Sequence, residues 1–193
     1  AEARCALHNW KSNALTYTSH TAKLKNMEEK AIQTLFTKRE SVEQIEEGNQ
    51  LAPKFDEQGV IPCMTLHSGT REVLMFAFMN PEALALSIET GLAHYWSRSR
   101  KKLWKKGESS GMFQQIRRML IDDDQDCVVI EVELTQPSSG GDEASCHVGY
   151  RSCFYREVPI GETDEPVRLR FVEDSKAFDP NAVYGEAPNP TRL

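Results

Sequence analysis

The chain has 193 residues, 39% hydrophobic and 27% charged, with a formal net charge of −6. Those values fit one ordinary globular domain with extensions, and no apolar run nears the roughly 18 residues needed to cross a bilayer. The acidic balance excludes general affinity for nucleic acid, so any anion must be held by a local patch. Five widely spaced cysteines, Cys5, Cys63, Cys127, Cys146 and Cys153, do not make a disulfide framework, and they predict a reducing, cytoplasmic setting. The chain starts at Ala1, and its first 25 residues are rich in Ser, Thr, Lys and Asn. An organellar stroma therefore stays open as the alternative, should a targeting segment have been removed.

In chain order, residues 1–25 carry no clear period. Residues 26–48 predict a helix over 27–47, with Asn26 as cap, a rough stripe of Ile32, Leu35, Phe36 and Val42, and Gly48 as stop. Residues 1–50 are thus expected to be a leader. The main domain, 51–160, opens with strands at 60–66 and at "VLMFAFM", joined by the turn "HSGTRE". A helix follows, with Asn80 at the N-cap, Pro81 at its first position and Gly91 just past its end. "LAHYWS" returns to strand. "CVVIEVELT" alternates, with Val128, Ile130, Val132 and Leu134 on one face and Glu131 and Glu133 on the other. Residues 161–193 read as an irregular tail. The fold class expected is α+β and strand-rich, with a mostly antiparallel or mixed sheet and one or two short helices.

Three segments carry chemistry. In "IDDDQDC", four carboxylates crowd into five residues. On an extended chain Asp122, Asp124 and Asp126 share one face and Asp123 takes the other. Two-residue steps of roughly 6.6 Å are too long for three carboxylates to meet one Mg²⁺ at about 2.1 Å, so the segment must curl if they share an ion. Its spacing mimics an EF-hand loop, but Cys127 stands where that loop needs glycine and a strand follows instead of a helix. In "ASCHVGYRSCFYR", Cys146 and Cys153 admit three readings: a metal pair, free core thiols or a disulfide. A shared ion would require a sharp reversal, which Gly149 permits. In "YWSRSRKKLWKKGESSG", Arg98, Arg100, Lys101, Lys102, Lys105 and Lys106 supply cations, Trp96 and Trp104 flat aromatic faces, and Ser109 and Ser110 hydroxyls. That set suits a phosphorylated nucleotide; a solvated basic loop is the plain alternative.

Together, "VLMFAFMNPEAL", "ETGLAHYWSRSRKKLWKKGESSG", "DDDQD" and "CHVGYRSCFYR" resemble the phosphoribosyl-AMP cyclohydrolase family of histidine biosynthesis. The resemblance runs from about Phe55 to Arg156, with every block in the family's order. It implies an interleaved homodimer with a zinc site built across the interface and a magnesium site nearby. It also implies hydrolytic opening of the adenine ring at N1–C6 in 1-(5-phosphoribosyl)-AMP. By position, Cys146 and Cys153 match two zinc cysteines, Asp122, Asp124 and Asp126 match the magnesium aspartates, and His147 is the candidate general acid and base. One position departs. The family usually reads Asp-Cys-Asp-x-Asp, the cysteine giving the third zinc ligand to the neighbouring subunit, and this chain has Asp123 there. A carboxylate binds Zn²⁺ at about 2.0–2.2 Å and makes the site harder; otherwise His147 or His94 completes the shell. Two other readings stand beside the enzyme: a non-catalytic nucleotide- or zinc-binding homologue, and a zinc hydrolase of a different purine nucleotide.

Overall fold

The computed structural model of the protein describes residues 35–161 and 166–187. The predicted helix over 27–47 lies partly outside them, and the described part corrects it. Leu35 is helical, residues 37–41 are not, and Val42–Glu46 forms a separate short helix, α1. Ser41 ends the irregular stretch because its Oγ accepts the Gln44 amide. The preceding residues spend their donors elsewhere. The Arg39 guanidinium donates to the carbonyls of Ala52 and Asp124, and the Thr37 amide donates to Leu51. Docking on distant carbonyls outcompetes helix propensity here.

The main sheet has four strands in the order β2–β1–β6–β5, where β1 is Ile61–His67, β2 Val73–Met79, β5 Gln114–Ile121 and β6 Val128–Leu134. Strands β1 and β2 form an antiparallel pair across the expected turn, from Ile61 opposite Met79 to Leu66 opposite Val73. Strand β6 lies parallel to β1 and antiparallel to β5, so the sheet is mixed. A parallel pair needs a long crossover, and residues 68–127 supply it. That crossover contains α2, Pro81–Thr90, and a small hairpin of β3, His94–Ser97, with β4, Lys102–Lys105. Helix α2 starts where the Asn80 side chain accepts the Ala83 amide at 2.9 Å. It ends where Gly91 takes φ 67. Strand β5 had no counterpart in the sequence reading, because the residues before it were dominated by the basic run.

The core follows the alternation of β6. Val128, Ile130, Val132 and Leu134 are buried against Ile61, Leu74, Met79 and Leu84. Glu133 faces solvent, but Glu131 on the same face is buried, 7% exposed, because Arg71 and Arg118 pair with it. At the centre lies a buried polar relay. Tyr95, 0% exposed, shares its hydroxyl with Thr65 at 2.8 Å and donates to Gln114 Oε1 at 2.6 Å. Gln114 Nε2 in turn donates to Ser145 Oγ at 3.1 Å. The relay ties sheet, hairpin and the loop ahead of Cys146 into one unit.

The described part of the expected irregular tail also holds order. Arg156–Glu157 (β7) pairs with Arg170–Phe171 (β8), and Pro180–Tyr184 forms α3, capped by Asp179. Burial of Phe178 at 5% exposure against Met112 and Ala144 anchors it. Among the described residues no helix is long and apolar enough to cross a membrane.

Replacing Tyr95 by Phe strands a buried acceptor on Gln114 and a buried hydroxyl donor on Thr65 while keeping the ring. We expect a loss of about 1–3 kcal/mol in unfolding free energy, measurable as a lower urea midpoint at unchanged m-value.

Candidate active site

Between Cys146 and Cys153 the chain doubles back. The Ser145 amide donates to Arg151 O at 2.8 Å, the Cys146 amide to Tyr150 O at 3.3 Å, and the Gly149 amide to Cys146 O at 3.2 Å. Gly149 makes the reversal at φ 106, where a side chain would be strained. The edge strand β2 then receives the loop's end. Cys153 N donates to Leu74 O at 2.7 Å, and Ser152 Oγ to Val73 O at 2.7 Å.

The reversal brings the two thiols within hydrogen-bonding reach of each other, and both are free. Of the three sequence readings, the disulfide is therefore not formed. The hydrogen bond from Cys153 draws the Cys146 thiol down to about 7 against the opposing effect of burial, and the Lys106 ammonium adds to the fall. The same contact pushes Cys153 well up. The pair shares one readily lost proton and holds the second tightly. Lys106 is itself buried, 7% exposed. Desolvation lowers its pKa, and the two sulfurs oppose that shift.

A cleft of about 420 Å³ opens beside the pair, with Cys153 in its wall and Cys146 buried behind it. It collects Arg100, Trp104, Lys105, Lys106, Ser109, Ser110, His147 and Cys153 from the segments singled out in the sequence, and adds Met75 and Tyr184. Trp96 and Arg98 are not in it. They line an adjoining recess with Phe78, over whose ring the Arg98 guanidinium sits at 3.8 Å. The two recesses share Arg100 and Trp104. His147 Nε2 is buried with no hydrogen-bond partner, a costly state that a ligand or substrate would relieve.

The acidic segment curls, as a shared ion requires. Asp122 Oδ1 accepts the amides of Asp126 at 2.9 Å and Cys127 at 2.8 Å, closing a tight β5–β6 turn. Carboxylate oxygens of Asp122, Asp124 and Asp126 lie within 4.8 Å of one another. The turn removes the extended-chain parity argument for Asp123, which is exposed on it. Lys54 bridges Asp124 and Asp126 at 3.0 Å each and holds the Asp124 carboxyl below the usual carboxylate range. Gln125, at φ 58 and 5% exposed, locks the turn to the leader. Its side chain accepts the Ala52 amide and donates to the carbonyls of Ile45 and Gln50. Neither Gln125 nor Lys54 had a local signal, since their partners lie 70 or more residues away.

Among the described residues the Asp122–Asp124–Asp126 trio is the only set of three potential metal ligands this close together. Neither His147 nor His94 therefore completes a compact triad with the two thiols. His94 Nδ1 instead meets its neighbour Leu92 O at 2.8 Å. Nor does Asp123 within one chain. Cys153 is tied to β2 at one edge of the sheet and Asp123 sits on the β5–β6 turn, two to three strand spacings across, roughly 10–14 Å, and displaced along the strands as well.

A family model described as phosphoribosyl-AMP cyclohydrolase matches residues 75–155. Proteins named phosphoribosyl-AMP cyclohydrolase are similar over most of their length. One from Rhodopseudomonas palustris (strain HaA2) is 49% identical over 146 residues, 76% of this chain and 94% of that protein. One from Rhizobium etli (strain ATCC 51251) is 46% identical over 142 residues, 74% of this chain and 90% of that protein. One from Methanoregula boonei is 50% identical over 136 residues, 69% of this chain and 94% of that protein.

The thiol geometry makes a prediction for reduced, metal-free protein. Because the folded pKa of Cys146 is depressed, the ultraviolet thiolate absorbance of the protein should show a first step with a midpoint near pH 7, below the ordinary thiol range of about 8.5. Lys106→Met removes a cation that favours the thiolate, so it should move that midpoint upward.

Proposed function

We infer the reaction from one premise, that this chain belongs to the phosphoribosyl-AMP cyclohydrolase family. It is an enzyme that hydrolyses 1-(5-phosphoribosyl)-AMP, opening the adenine ring between N1 and C6 in the histidine pathway. The observation that carries this reading is a folded-back thiol pair whose Cys153 lines a cleft shared with Arg100, Lys105 and Lys106. Two contacting thiols with one proton easily lost are a soft, anionic donor pair, which suits Zn²⁺. Cys146 and Cys153 would hold that ion, and Asp123 of a second copy would complete the shell, since one chain cannot bring its own Asp123 to its own thiols. When bound, zinc supplies Lewis acidity, which makes water a competent nucleophile near neutral pH.

The chain's own side chains account for the remaining steps. The substrate carries two phosphoribosyl arms, and two recesses meet at Arg100 and Trp104. Arg100 and Lys105 draw one phosphate into the cleft while Arg98 receives the other next door. Ser109 and Ser110 offer hydroxyls to sugar or phosphate oxygens, and Trp96 and Trp104 offer ring faces to the base. N1 substitution leaves C6 electron-poor. A water oxygen bonds to C6, and the N1–C6 bond breaks with its electron pair passing to N1, which takes a proton. His147, with its unpartnered buried Nε2, moves that proton from water to N1. The result is a carboxamide on an imidazole. Asp122, Asp124 and Asp126 form an oxygen-donor cluster fit for Mg²⁺ once Lys54 gives way. An ion there would screen substrate phosphate.

Exhaustive chelation should abolish ring opening of the phosphoribosyl nucleotide, and added zinc should restore it; full turnover by metal-free protein would contradict the assignment. Asp123→Ala and Cys146→Ala should each be inactive alone. Mixed in equal amounts they should recover about a quarter of wild-type activity, the statistical yield of one intact shared site in half the dimers.

A further inference from the structure

The family match ends at residue 155, but the walls of the cleft do not. The chain returns from 173 to 184 across the back of the thiol loop. The Glu173 carboxylate accepts the amides of Arg151 at 2.8 Å and Ser152 at 2.9 Å, the two residues just before Cys153. The Ala177 amide donates to Gly149 O at 2.8 Å, at the point of reversal. The fit there leaves no slack: a Cβ on Gly149 would stand 2.8 Å from Phe178 O, and one on Gly141 would stand 2.9 Å from Phe178 Cβ. Phe178 fills the space beneath, and its ring lies 6.3 Å from that of Tyr184. Asp179 and Pro180 then start α3, which delivers Tyr184 to the cleft that His147 and Lys106 also line. The Tyr184 hydroxyl is within hydrogen-bonding reach of Ser110, and burial pushes its phenol above the ordinary range, so it stays a neutral donor.

We propose that this C-terminal strap is a working wall of the active site, with Glu173 a positioning residue for the thiol loop and Tyr184 a contact to the bound nucleotide. Glu173 acts at a distance from substrate: it satisfies two adjacent amides that set the direction from which Cys153 approaches Cys146. Tyr184 acts directly. Its neutral O–H, beside Ser110 in a cleft that also holds Arg100 and Lys105, suits a ribose or phosphate oxygen, and its ring closes the cleft against water. The substrate named here rests on the function proposed above; the placement of the strap does not.

The test uses full-length, zinc-loaded protein, with turnover of the phosphoribosyl nucleotide and calorimetric binding of AMP read separately. Tyr184→Phe keeps the ring and the packing. It should raise KM about tenfold and weaken AMP by a similar factor, with melting temperature and zinc content at wild-type values. Glu173→Gln keeps one acceptor oxygen and should lower kcat more than it raises KM, while Glu173→Ala should lower kcat further. Unchanged KM and AMP affinity in Tyr184→Phe would overturn the nucleotide contact. Equal kcat in wild type and both Glu173 variants would overturn the positioning role. A wild-type chain that fails to open the ring, yet loses AMP affinity on Tyr184→Phe, removes the reaction and keeps the strap in the site.

Discussion

The site depends on one backbone reversal. If the chain did not turn back at Gly149, Cys146 and Cys153 would stand up to about 23 Å apart along an extended strand and could share neither a proton nor an ion. The turn is not left to local preference. Backbone bonds close it from within, β2 holds its end through Leu74 and Val73, and the Gln114–Ser145 bond holds its start. Each anchor belongs to a different part of the fold, so the sulfurs are fixed relative to the sheet. That rigidity has an electrostatic consequence. A thiol pair and a buried ammonium are each costly to charge alone, and placed together they lower one another's cost.

Much of the fold was legible because its signals are local. The Asn80–Pro81 start and Gly91 end of α2 depend on groups a few residues apart, and the period of β6 depends only on which side chains face the core. The helix expected over 27–47 is interrupted at residues 37–41 for the opposite reason. Arg39 and Thr37 find carbonyl partners at Ala52, Asp124 and Leu51, and no window of sequence contains that competition. Glu131 shows the same limit inside a correctly read strand, since two arginines from elsewhere make its burial tolerable.

The site was legible by residue type but not by arrangement. The basic run was visible, yet nothing in it distinguished Lys106, which is buried beside the sulfurs, from Lys101 and Lys102, which are exposed. Trp96 and Arg98 shared a motif with Lys105 but line a neighbouring recess, because the β3–β4 hairpin turns them away from it. The need for the acidic run to curl was inferable from carboxylate spacing alone. The bracing of that turn by Gln125, and its occupation by Lys54, were not. Tyr184 and Glu173 had no local signal at all.

The acidic β5–β6 turn and the thiol loop on β2 are well separated in one chain; under the proposed zinc ligation, a second copy is the simplest source of the oxygen donor. The direct measurement is a crystal of the zinc-loaded protein with diffraction recorded on both sides of the zinc absorption edge. The account predicts an anomalous peak bonded to the sulfurs of Cys146 and Cys153 and to an Asp123 carboxylate from another molecule of the assembly. A peak seated elsewhere, or the two sulfurs joined covalently with no peak between them, would contradict it.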